Sequence, residues 1–308
     1  MLTFQARYGS AQPNLSIPYL RNLILIPNFS DSLGTIVKQK ILEAVKTAHL
    51  EIALYREAET ELLERLGWEE LRQKPVELSY VRDFANLESA ERSDAEFFHP
   101  QYKRLRTQLE KRGAQPIGMF CPKASRGVQP LLVENGEVVV LDSKSVRPEG
   151  VEPAADERTS RAFSSLPQNS KACVQHGDVL LNSTGRGTLG RAACYQSSVP
   201  ALCDNHVAIL RADTNVCNPT YLSLFLNSPA GLAQSEQFQT GSSGQLEIYP
   251  NHIAQFLIFL PKQSNGKTDM AWQERLAAKV EAAASAKAAA RAKLEEAKRL
   301  VEDALKAT

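Results

Sequence analysis

The residues with the clearest chemical potential form a glycine-rich polar stretch in the second half of the chain. It reads Asn182-Ser-Thr-Gly-Arg-Gly-Thr-Leu-Gly-Arg191 and lies between two short apolar runs. Glycine lets a backbone approach a ligand, arginine can donate paired hydrogen bonds to a phosphate or a guanine edge, and asparagine can pair with adenine. The stretch therefore predicts an exposed loop that contacts nucleic acid.

A phosphate loop of the nucleotide-binding kind is the alternative for this stretch. Such a loop ends in Gly-Lys-Ser/Thr and opens a helix. This sequence lacks that ending and continues into a strand-like run at 192–195. With polar and basic residues of other segments, the predicted DNA contacts are Lys123, Arg126, Asn182, Ser183, Thr184, Arg186, Thr188, Arg191, Asn205, Ser242, Ser243 and Gln245.

A small polar element occurs near both ends of the chain. Gly9-Ser-Ala-Gln12 precedes the apolar run 23–27, and Gly241-Ser-Ser-Gly-Gln245 precedes the apolar run 256–261. Either a hairpin loop that sets strand register or a DNA contact explains such an element. Because each copy is followed by a long helical segment, the repeat defines a unit made of a small module, a closing strand and a helix.

The two helical segments have coiled-coil patterns. Segments 31–66 and 268–306 contain no proline, and their apolar residues recur in alternating steps of four and three. With a globular module between them, the chain must travel out and back, so we expect an antiparallel pair. The predicted contact positions are Ile41, Val45, Ala48, Ile52, Tyr55, Leu62 and Leu66 in the first segment, and Leu276, Val280, Ala283, Ala290, Leu294, Ala297, Val301 and Ala304 in the second.

Residues 76–262 have a different character. Short apolar runs such as 178–181, 192–195 and 206–210 are separated by Gly, Asn, Ser and Pro, which is typical of short strands. Two helices are expected inside, at 100–112 and 219–226. The predicted fold class is α+β, with one compact, mixed and β-rich domain plus two long helices that form an antiparallel coiled coil.

Composition gives few constraints on partners. The 308 residues carry 36 basic and 35 acidic side chains, so net charge does not reveal an anionic partner. Five cysteines without a Cys-x-x-Cys pair favour a reducing compartment, and no apolar stretch reaches the length of a membrane helix. We expect a cytoplasmic protein that does not bind membranes.

The sequence contains only poor matches to the catalytic motifs of methyltransferases and nucleases. The closest approach to the Asn/Asp-Pro-Pro-aromatic loop of amino methyltransferases is Ile248-Tyr-Pro-Asn251, which lacks the form. Asp142 and Lys144, with Glu134 or Glu137 upstream, suggest a metal-dependent nuclease only faintly, because the acids are close along one short run. The five histidines have no ligand spacing. We predict no catalytic residues, no metal ligands and no enzymatic activity.

Four motifs in this order resemble the specificity (S) subunit of type I restriction–modification systems. The module opening Arg92-Ser-Asp-Ala-Glu-Phe-Phe-His-Pro100 is similar to the family's Arg-x-Asp-Ala-Glu signature. Gly177-Asp-Val-Leu-Leu181 resembles its Gly-Asp-Ile-Leu strand, Pro219-Thr-Tyr-Leu222 resembles its Pro-x-Tyr-Leu helix, and the tail 241–261 closes the module. Together they cover residues 76–262, and the two helices cover most of the remainder.

The resemblance implies a DNA reader without catalytic activity. Its module would recognise half of a split target, and its helices would set the spacing and dock methyltransferase (M) subunits and, in turn, restriction subunits. S-adenosylmethionine, ATP and Mg²⁺ would be held only by those partners. The implied domains are a remnant of a first recognition domain at 1–28, a spacer helix at 29–75, a complete recognition domain at 76–262 and a second spacer helix at 263–308.

One departure from the family pattern leaves two interpretations open. A typical member carries two complete modules, whereas the first is reduced here. The chain is then either a truncated product or a half-subunit that forms a homodimer and reads a palindromic split target. The alternative function is a truncated S-like scaffold that binds methyltransferase subunits through its helices without reading DNA.

Overall fold

The computed structural model describes residues 7–8, 14–15, 30–72, 79–154, 156–241 and 245–306, and they fall into two compact units. The first unit comprises residues 1–49 and 287–308, and the second comprises residues 50–286. The predicted remnant at 1–28, the first copy of the polar element and the run 23–27 lie outside the described residues, apart from two short strands. Those strands, β1 (Arg7–Tyr8) and β2 (Asn14–Leu15), pair antiparallel.

The remaining elements alternate short strands with helices between two long terminal helices. The α-helices are α1 (Asp31–Leu66), α2 (Trp68–Arg72), α3 (Phe84–Ala90), α4 (Pro100–Lys111), α5 (Arg161–Ser164), α6 (Pro219–Asn227), α7 (Pro229–Phe238), α8 (Pro250–Ile253) and α9 (Met270–Lys306). The strands are β3 (Gln115–Pro116), β4 (Lys123–Arg126), β5 (Val138–Leu141), β6 (Val146–Arg147), β7 (Gly150–Val151), β8 (Arg158–Thr159), β9 (Cys173–Val174), β10 (Val179–Asn182), β11 (Ala192–Cys194), β12 (Ala201–Cys203), β13 (Val207–Arg211) and β14 (Leu257–Ile258).

In the first unit, the N-terminal part of α1 pairs with the C-terminal part of α9. Lys40 Nζ lies 2.7 Å from Glu296 Oε1, and Lys293 Nζ lies 3.0 Å from Glu43 Oε2. As the position in α1 rises, its partner in α9 falls, so the helices run antiparallel. Ala44 is buried at this contact, together with small residues of α9. Small side chains let the two backbones approach closely.

In the second unit, the remaining parts of α1 and α9 also run antiparallel. Glu61 is the centre of this contact: its carboxylate accepts hydrogen bonds from the Trp272 indole at 2.9 Å and from Arg275, and it pairs with Lys279. One turn further along, Arg65 pairs with Asp269 at 2.8 Å, and its guanidinium covers the Trp272 ring. Burial raises the pKa of Glu61, but Arg275 and Lys279 outweigh it and hold this pKa below its ordinary value. Arg65 likewise lowers the pKa of Asp269.

The predicted contact positions of the helix pair are partly wrong. Ile41, Val45, Ile52 and Leu294 are 42–48% exposed, whereas Ala58, Leu62 and Leu66 of α1 and most of the predicted alanines and apolar residues of α9 are buried. The apolar residues of α1 occupy more than one face, so periodicity alone does not select one. The face around Ala44 brings Lys40 and Glu43 beside their counterions, and this decides the register.

Two four-stranded sheets form the centre of the second unit. The antiparallel sheet has the order β11-β10-β13-β4, and the mixed sheet has the order β8-β5-β12-β9. In the mixed sheet, β12 and β5 run parallel and the other pairs are antiparallel. A parallel pair requires a long crossover, which the sequence between β5 and β12 supplies.

Both faces of the antiparallel sheet are buried. Val179, Leu181 and Leu210 face a large core that contains α6, α7 and the adjoining parts of α1 and α9. Leu180 and Ile209 point the other way, where they meet Leu141 and other residues of the mixed sheet. Because successive side chains of a strand point to opposite faces, a strand buried on both sides has a continuous apolar sequence.

The module-opening motif fastens its segment to α7. Arg92 donates to both carboxylate oxygens of Asp94 and to the main-chain oxygens of Phe238 and Gln239, and its guanidinium covers the Phe97 ring. The Arg92 guanidinium holds the pKa of Asp94 below its ordinary value. At the end of the motif, His99 caps α4 by accepting a hydrogen bond from the Gln101 amide. The motif therefore orders the entrance to the module.

The motifs at 177–181 and 219–222 also have structural roles. Asp178 is fully buried and accepts two hydrogen bonds from Arg211 at 2.7 and 2.8 Å. Asn218 caps α6, whose first residue is proline, as helix starts prefer. Tyr221 is buried, and its hydroxyl donates to the Phe259 main-chain oxygen. These contacts fix the helix against the closing strand.

The structure confirms the predicted α+β class, with a β-rich domain and two long helices that pair antiparallel within each unit. No helix in the described ranges is both long enough and apolar enough to cross a membrane. The five cysteines are free thiols.

Candidate nucleic-acid interface

Three strands of the antiparallel sheet bring polar residues to one edge. β10 ends at Asn182, opposite Val207 at the start of β13, and Ala208 of β13 lies opposite Arg126 at the end of β4. The residues that follow β10, precede β13 and end β4 are therefore neighbours. The predicted DNA contacts Arg126, Ser183, Thr184 and Asn205 come together at this edge.

The loop after β10 is a compact hydrogen-bonded turn. Residues Gly185, Gly187 and Gly190 have φ angles of 98°, 83° and 82°, which favour glycine. The amides of Thr188 and Leu189 donate to the Gly185 oxygen, and the Gly190 amide donates to the Asn182 oxygen. Arg186 is exposed at the tip, and Thr188 is half-buried. The glycines thus serve the backbone shape, and Arg186 is the loop's exposed cation.

The segment 245–248 lies beside the beginning of this loop. The Gly185 amide donates to the Leu246 oxygen at 3.0 Å, and the Ile248 amide donates to the Ser183 oxygen at 2.8 Å. Thr240 and Glu247 exchange two main-chain hydrogen bonds as an antiparallel pair. Gln245 is exposed, whereas Ser242 and Ser243 lie outside the described residues.

Arg126 is the centre of the polar cluster at this edge. Its Nη1 donates to the Glu247 carboxylate, and its Nε lies 3.5 Å from Ser183 Oγ. The guanidinium carbon lies 5.7 Å from the centre of the Tyr249 ring. The Arg126 and Glu247 side chains are 24% and 30% exposed, so the pair is reachable from solvent.

Thr184 and His206 form a second polar contact at the same edge. The Thr184 hydroxyl and His206 Nδ1 lie 2.6 Å apart, and His206 is exposed. The neighbouring Asp204 is buried and accepts a hydrogen bond from the His206 amide. Burial raises the pKa of Asp204 to about 6, with the charges of Asp142 and Glu157 acting in the same direction and the His206 amide against it.

Three of the predicted DNA contacts make side-chain hydrogen bonds within the fold. Asn182 is fully buried and donates from Nδ2 to the Ser143 oxygen, and the Ser183 hydroxyl is buried and donates to the His206 oxygen. Lys123 is at the opposite end of β4, where its Nζ donates to the Cys173 oxygen at 3.2 Å. Burial, and secondarily Arg211, lowers the pKa of Lys123.

Arg191 is half-buried and follows the loop, just before β11. Its side chain lines a cavity of about 530 Å³ together with Tyr55 and Leu232. The exposed or half-buried candidates at the edge are consequently Arg126, Thr184, Arg186, Thr188, Asn205 and Gln245.

Sequence reasoning did not include His206, Glu247 and Tyr249 among the candidates. They come from separate segments and meet Thr184 and Arg126 only through strand register. No spacing in the sequence could have connected them. The one signal in the sequence was the polar element at 241–245, whose composition is typical of a turn and which stands just before Glu247.

The acidic residues of the weak nuclease pattern accept main-chain hydrogen bonds. Asp142 Oδ1 accepts hydrogen bonds from the amides of Lys144 and Ser145 at 2.9 Å, and Glu137 accepts one from the Arg161 amide at 3.0 Å. The Lys144 side chain is 83% exposed. Within the described ranges, no group of three His, Cys, Asp or Glu side chains could hold a metal ion.

Comparison with known proteins finds similarity in solved structures. The S subunit of a type I restriction–modification system from M. genitalium aligns with a TM-score of 0.48 and 10% identity, over 97% of this chain and 66% of that chain. A chain from a structure on complex assembly and conformational transition of the type I R-M system aligns with a TM-score of 0.40 and 15% identity, over 96% and 63%. The HsdS subunit from Thermoanaerobacter tengcongensis gives 0.36 and 13%, over 98% and 65%.

The chain therefore spans about two thirds of the length of the proteins it is similar to, between 63% and 66%. No protein-family model and no curated protein matches the sequence.

Proposed function

We propose that this chain is a DNA-binding specificity subunit of a restriction–modification complex and that its second unit reads one half of a split target. It has no catalytic role in this proposal. Methylation and cleavage would be carried out by methyltransferase and restriction subunits, which would bring S-adenosylmethionine, ATP and Mg²⁺. The site of action would be the cytoplasm.

The observation that carries the proposal is the polar edge of the antiparallel sheet. There, the ends of β4 and β10 and the start of β13 lie beside an exposed arginine loop and segment 245–248, with Arg126, Thr184, Arg186 and Gln245 at the surface. Such a set contains donors and acceptors of several geometries, which base edges require, and cations for phosphates. The four motif resemblances support the same function.

The experiment is a selection of duplexes from a random pool by the purified chain at low salt, followed by titration of the enriched sequence. We expect one recurring half-site and an affinity that falls steeply with salt, because phosphate contacts release counterions. Arg186→Ala should weaken binding, by about 1–3 kcal/mol where the arginine reads a base and with a salt slope smaller by about 1 where it contacts a phosphate.

Lys267→Ala is the matched control. Lys267 is an exposed cation of the second unit that precedes α9 and is outside the polar edge. It should leave the selected sequence unchanged. Absence of duplex binding at low salt, by the chain alone and with a methyltransferase subunit, would contradict the proposal.

A second candidate is a scaffold that binds methyltransferase subunits without reading DNA. It is favoured by an apolar surface on α1 within the first unit, where Ile36, Ile41, Leu42 and Val45 are 42–59% exposed. We call these four residues the α1 apolar surface. A second copy of the chain in a homodimeric half-subunit is the competing occupant. A scaffold would bind a methyltransferase subunit but enrich no duplex in the selection, whereas a DNA-binding specificity subunit would enrich one.

A further inference from the structure

The guanidinium nitrogens of Arg126 are only partly satisfied by hydrogen bonds. Nη1 bonds to Glu247, and Nε has a long contact of 3.5 Å with Ser183 Oγ. Nη2 is buried and has no hydrogen-bond partner in the described part of the chain. A buried donor without a partner loses its hydration and gains nothing in return, which destabilises this position of the side chain.

The ion pair with Glu247 is the main opposing contact. An ion pair between partly exposed side chains contributes little, because water screens the charges and two long side chains lose freedom. Tyr249 adds a distant ring contact at 5.7 Å. The tucked position of Arg126 is thus only weakly favoured, and it depends on the Glu247 charge.

We propose that Glu247 restrains Arg126 and that a DNA acceptor oxygen replaces the Glu247 carboxylate when the chain binds its target. This inference rests on the proposed function, and it names Arg126 and Glu247 as two residues that set the selectivity of DNA binding. The guanidinium fork matches a phosphate or the O6 and N7 acceptors of guanine, so either source can take the place of the carboxylate.

Replacement of Glu247 by a DNA acceptor at Arg126 lets the Glu247 carboxylate discriminate between duplexes by repulsion. Once Arg126 has left, an unpaired carboxylate remains beside the DNA, where it repels phosphates. Only a duplex that fully engages Arg126 offsets this cost, so other sequences are penalised more strongly. Glu247 would lower affinity for all duplexes and lower it most for the wrong ones.

The test is Glu247→Gln in the full chain, titrated with the selected duplex and with a scrambled duplex at several salt concentrations. The main-chain bonds of Glu247 to Thr240 persist because the backbone is unchanged. We expect the scrambled duplex to bind about tenfold more tightly, the gain typical of one charge-assisted hydrogen bond. The selected duplex should gain less, so the specificity ratio falls.

Two controls separate release of Arg126 from a general change of charge. Glu134→Gln removes an exposed negative charge elsewhere in the second unit and should have no such effect. In an Arg126→Ala background, Glu247→Gln should raise the affinity for the selected and the scrambled duplex equally, because only repulsion of phosphates is removed and the specificity ratio no longer depends on Arg126. Thermal unfolding of each variant checks that the module remains folded.

The outcomes distinguish the two acceptor sources and the two hypotheses. For Arg126→Ala on the selected duplex, a salt slope smaller by about 0.9 supports a phosphate acceptor, whereas an unchanged slope with loss of preference at one base pair supports a guanine edge. If Glu247→Gln binds no more tightly than the wild type, or lowers the specificity ratio equally without Arg126, the inference is overturned while the proposed function stands. If neither the wild type nor Glu247→Gln binds any duplex, the proposed function fails and the inference with it.

Discussion

The polar residues at the edge of the antiparallel sheet differ in how the fold uses them. Asn182 and Ser183 are buried and donate to the main-chain oxygens of Ser143 and His206, so their hydrogen bonds attach the end of β10 to neighbouring segments. Thr184 and Arg186 are accessible to a partner. A glycine-rich polar loop therefore combines residues that build the site with residues that are able to contact a ligand, and residue type alone does not separate them.

Asp204 makes the stability of this edge depend on pH. Its pKa is raised to about 6 in the folded chain, mainly by burial, from an ordinary value of 3.8. The folded state thus holds the proton more tightly than the unfolded state. The stabilisation is complete below about pH 4 and is lost as the pH rises through about 6.

Asp204→Asn should remove this dependence while the side chain still accepts the His206 amide. We expect the free energy of unfolding of the variant, relative to the wild type, to rise by about 2–3 kcal/mol between pH 4 and pH 7. Urea unfolding at several pH values measures it. Other carboxyls titrate equally in both proteins, so a difference that is independent of pH would show that Asp204 has an ordinary pKa.

At the scale of elements, one buried hydrogen bond joins α6 to Phe259, the residue that follows β14. The Tyr221 hydroxyl donates to the Phe259 main-chain oxygen, and Tyr221 is fully buried. Tyr221→Phe leaves that oxygen without this donor, so we expect a loss of about 1–3 kcal/mol in the free energy of unfolding. Tyr80→Phe, which removes an exposed hydroxyl bonded to the Ala95 oxygen, is the control. Equal effects of the two substitutions would contradict the assigned role.

Several elements could be predicted from the sequence because their signals are local. The run Val179–Leu181 is apolar at every position, Asn218 and Pro219 mark a helix start, and long stretches without proline mark α1 and α9. The face of α1 that packs could not be predicted, since apolar residues occupy more than one side. The alanine at position 44 and the flanking ion pairs decide it, and those depend on the partner helix.

The candidate site was predictable only where it is local. The loop after β10 could be located from its glycines. The contact of Arg126 with Glu247 depends on β4 pairing with β13 and on segment 245–248 lying beside the loop. Such contacts join segments that are far apart in sequence, and a one-residue change in strand register would separate them.

At the scale of the whole molecule, DNA contact is proposed for the second unit, and the scaffold alternative depends on the α1 apolar surface of the first unit. Ile41→Asp tests the scaffold alternative on this surface. Because Ile41 is 42% exposed, a charge there should cost the chain little stability, whereas burial of that charge in an interface is unfavourable.

We expect Ile41→Asp to weaken binding of a methyltransferase subunit at least about tenfold, a cost of about 1.4 kcal/mol. Duplex selection by the variant should remain as in the wild type. Sedimentation of the variant alone distinguishes the occupants, because loss of a dimer would identify a second copy as the partner. Unchanged partner binding and unchanged self-association would exclude this surface from both interfaces.

The core of the second unit imposes an order on biosynthesis. Glu61 and Trp272, which bond in this core, lie 211 positions apart in sequence. A ribosome that adds about 5–20 residues per second needs roughly 10–40 s to travel between them. During that time Leu62 and Leu66 of the nascent helix have no α9 to cover them. We expect chaperones to shield this helix until synthesis is nearly complete, and stalled chains to be degraded.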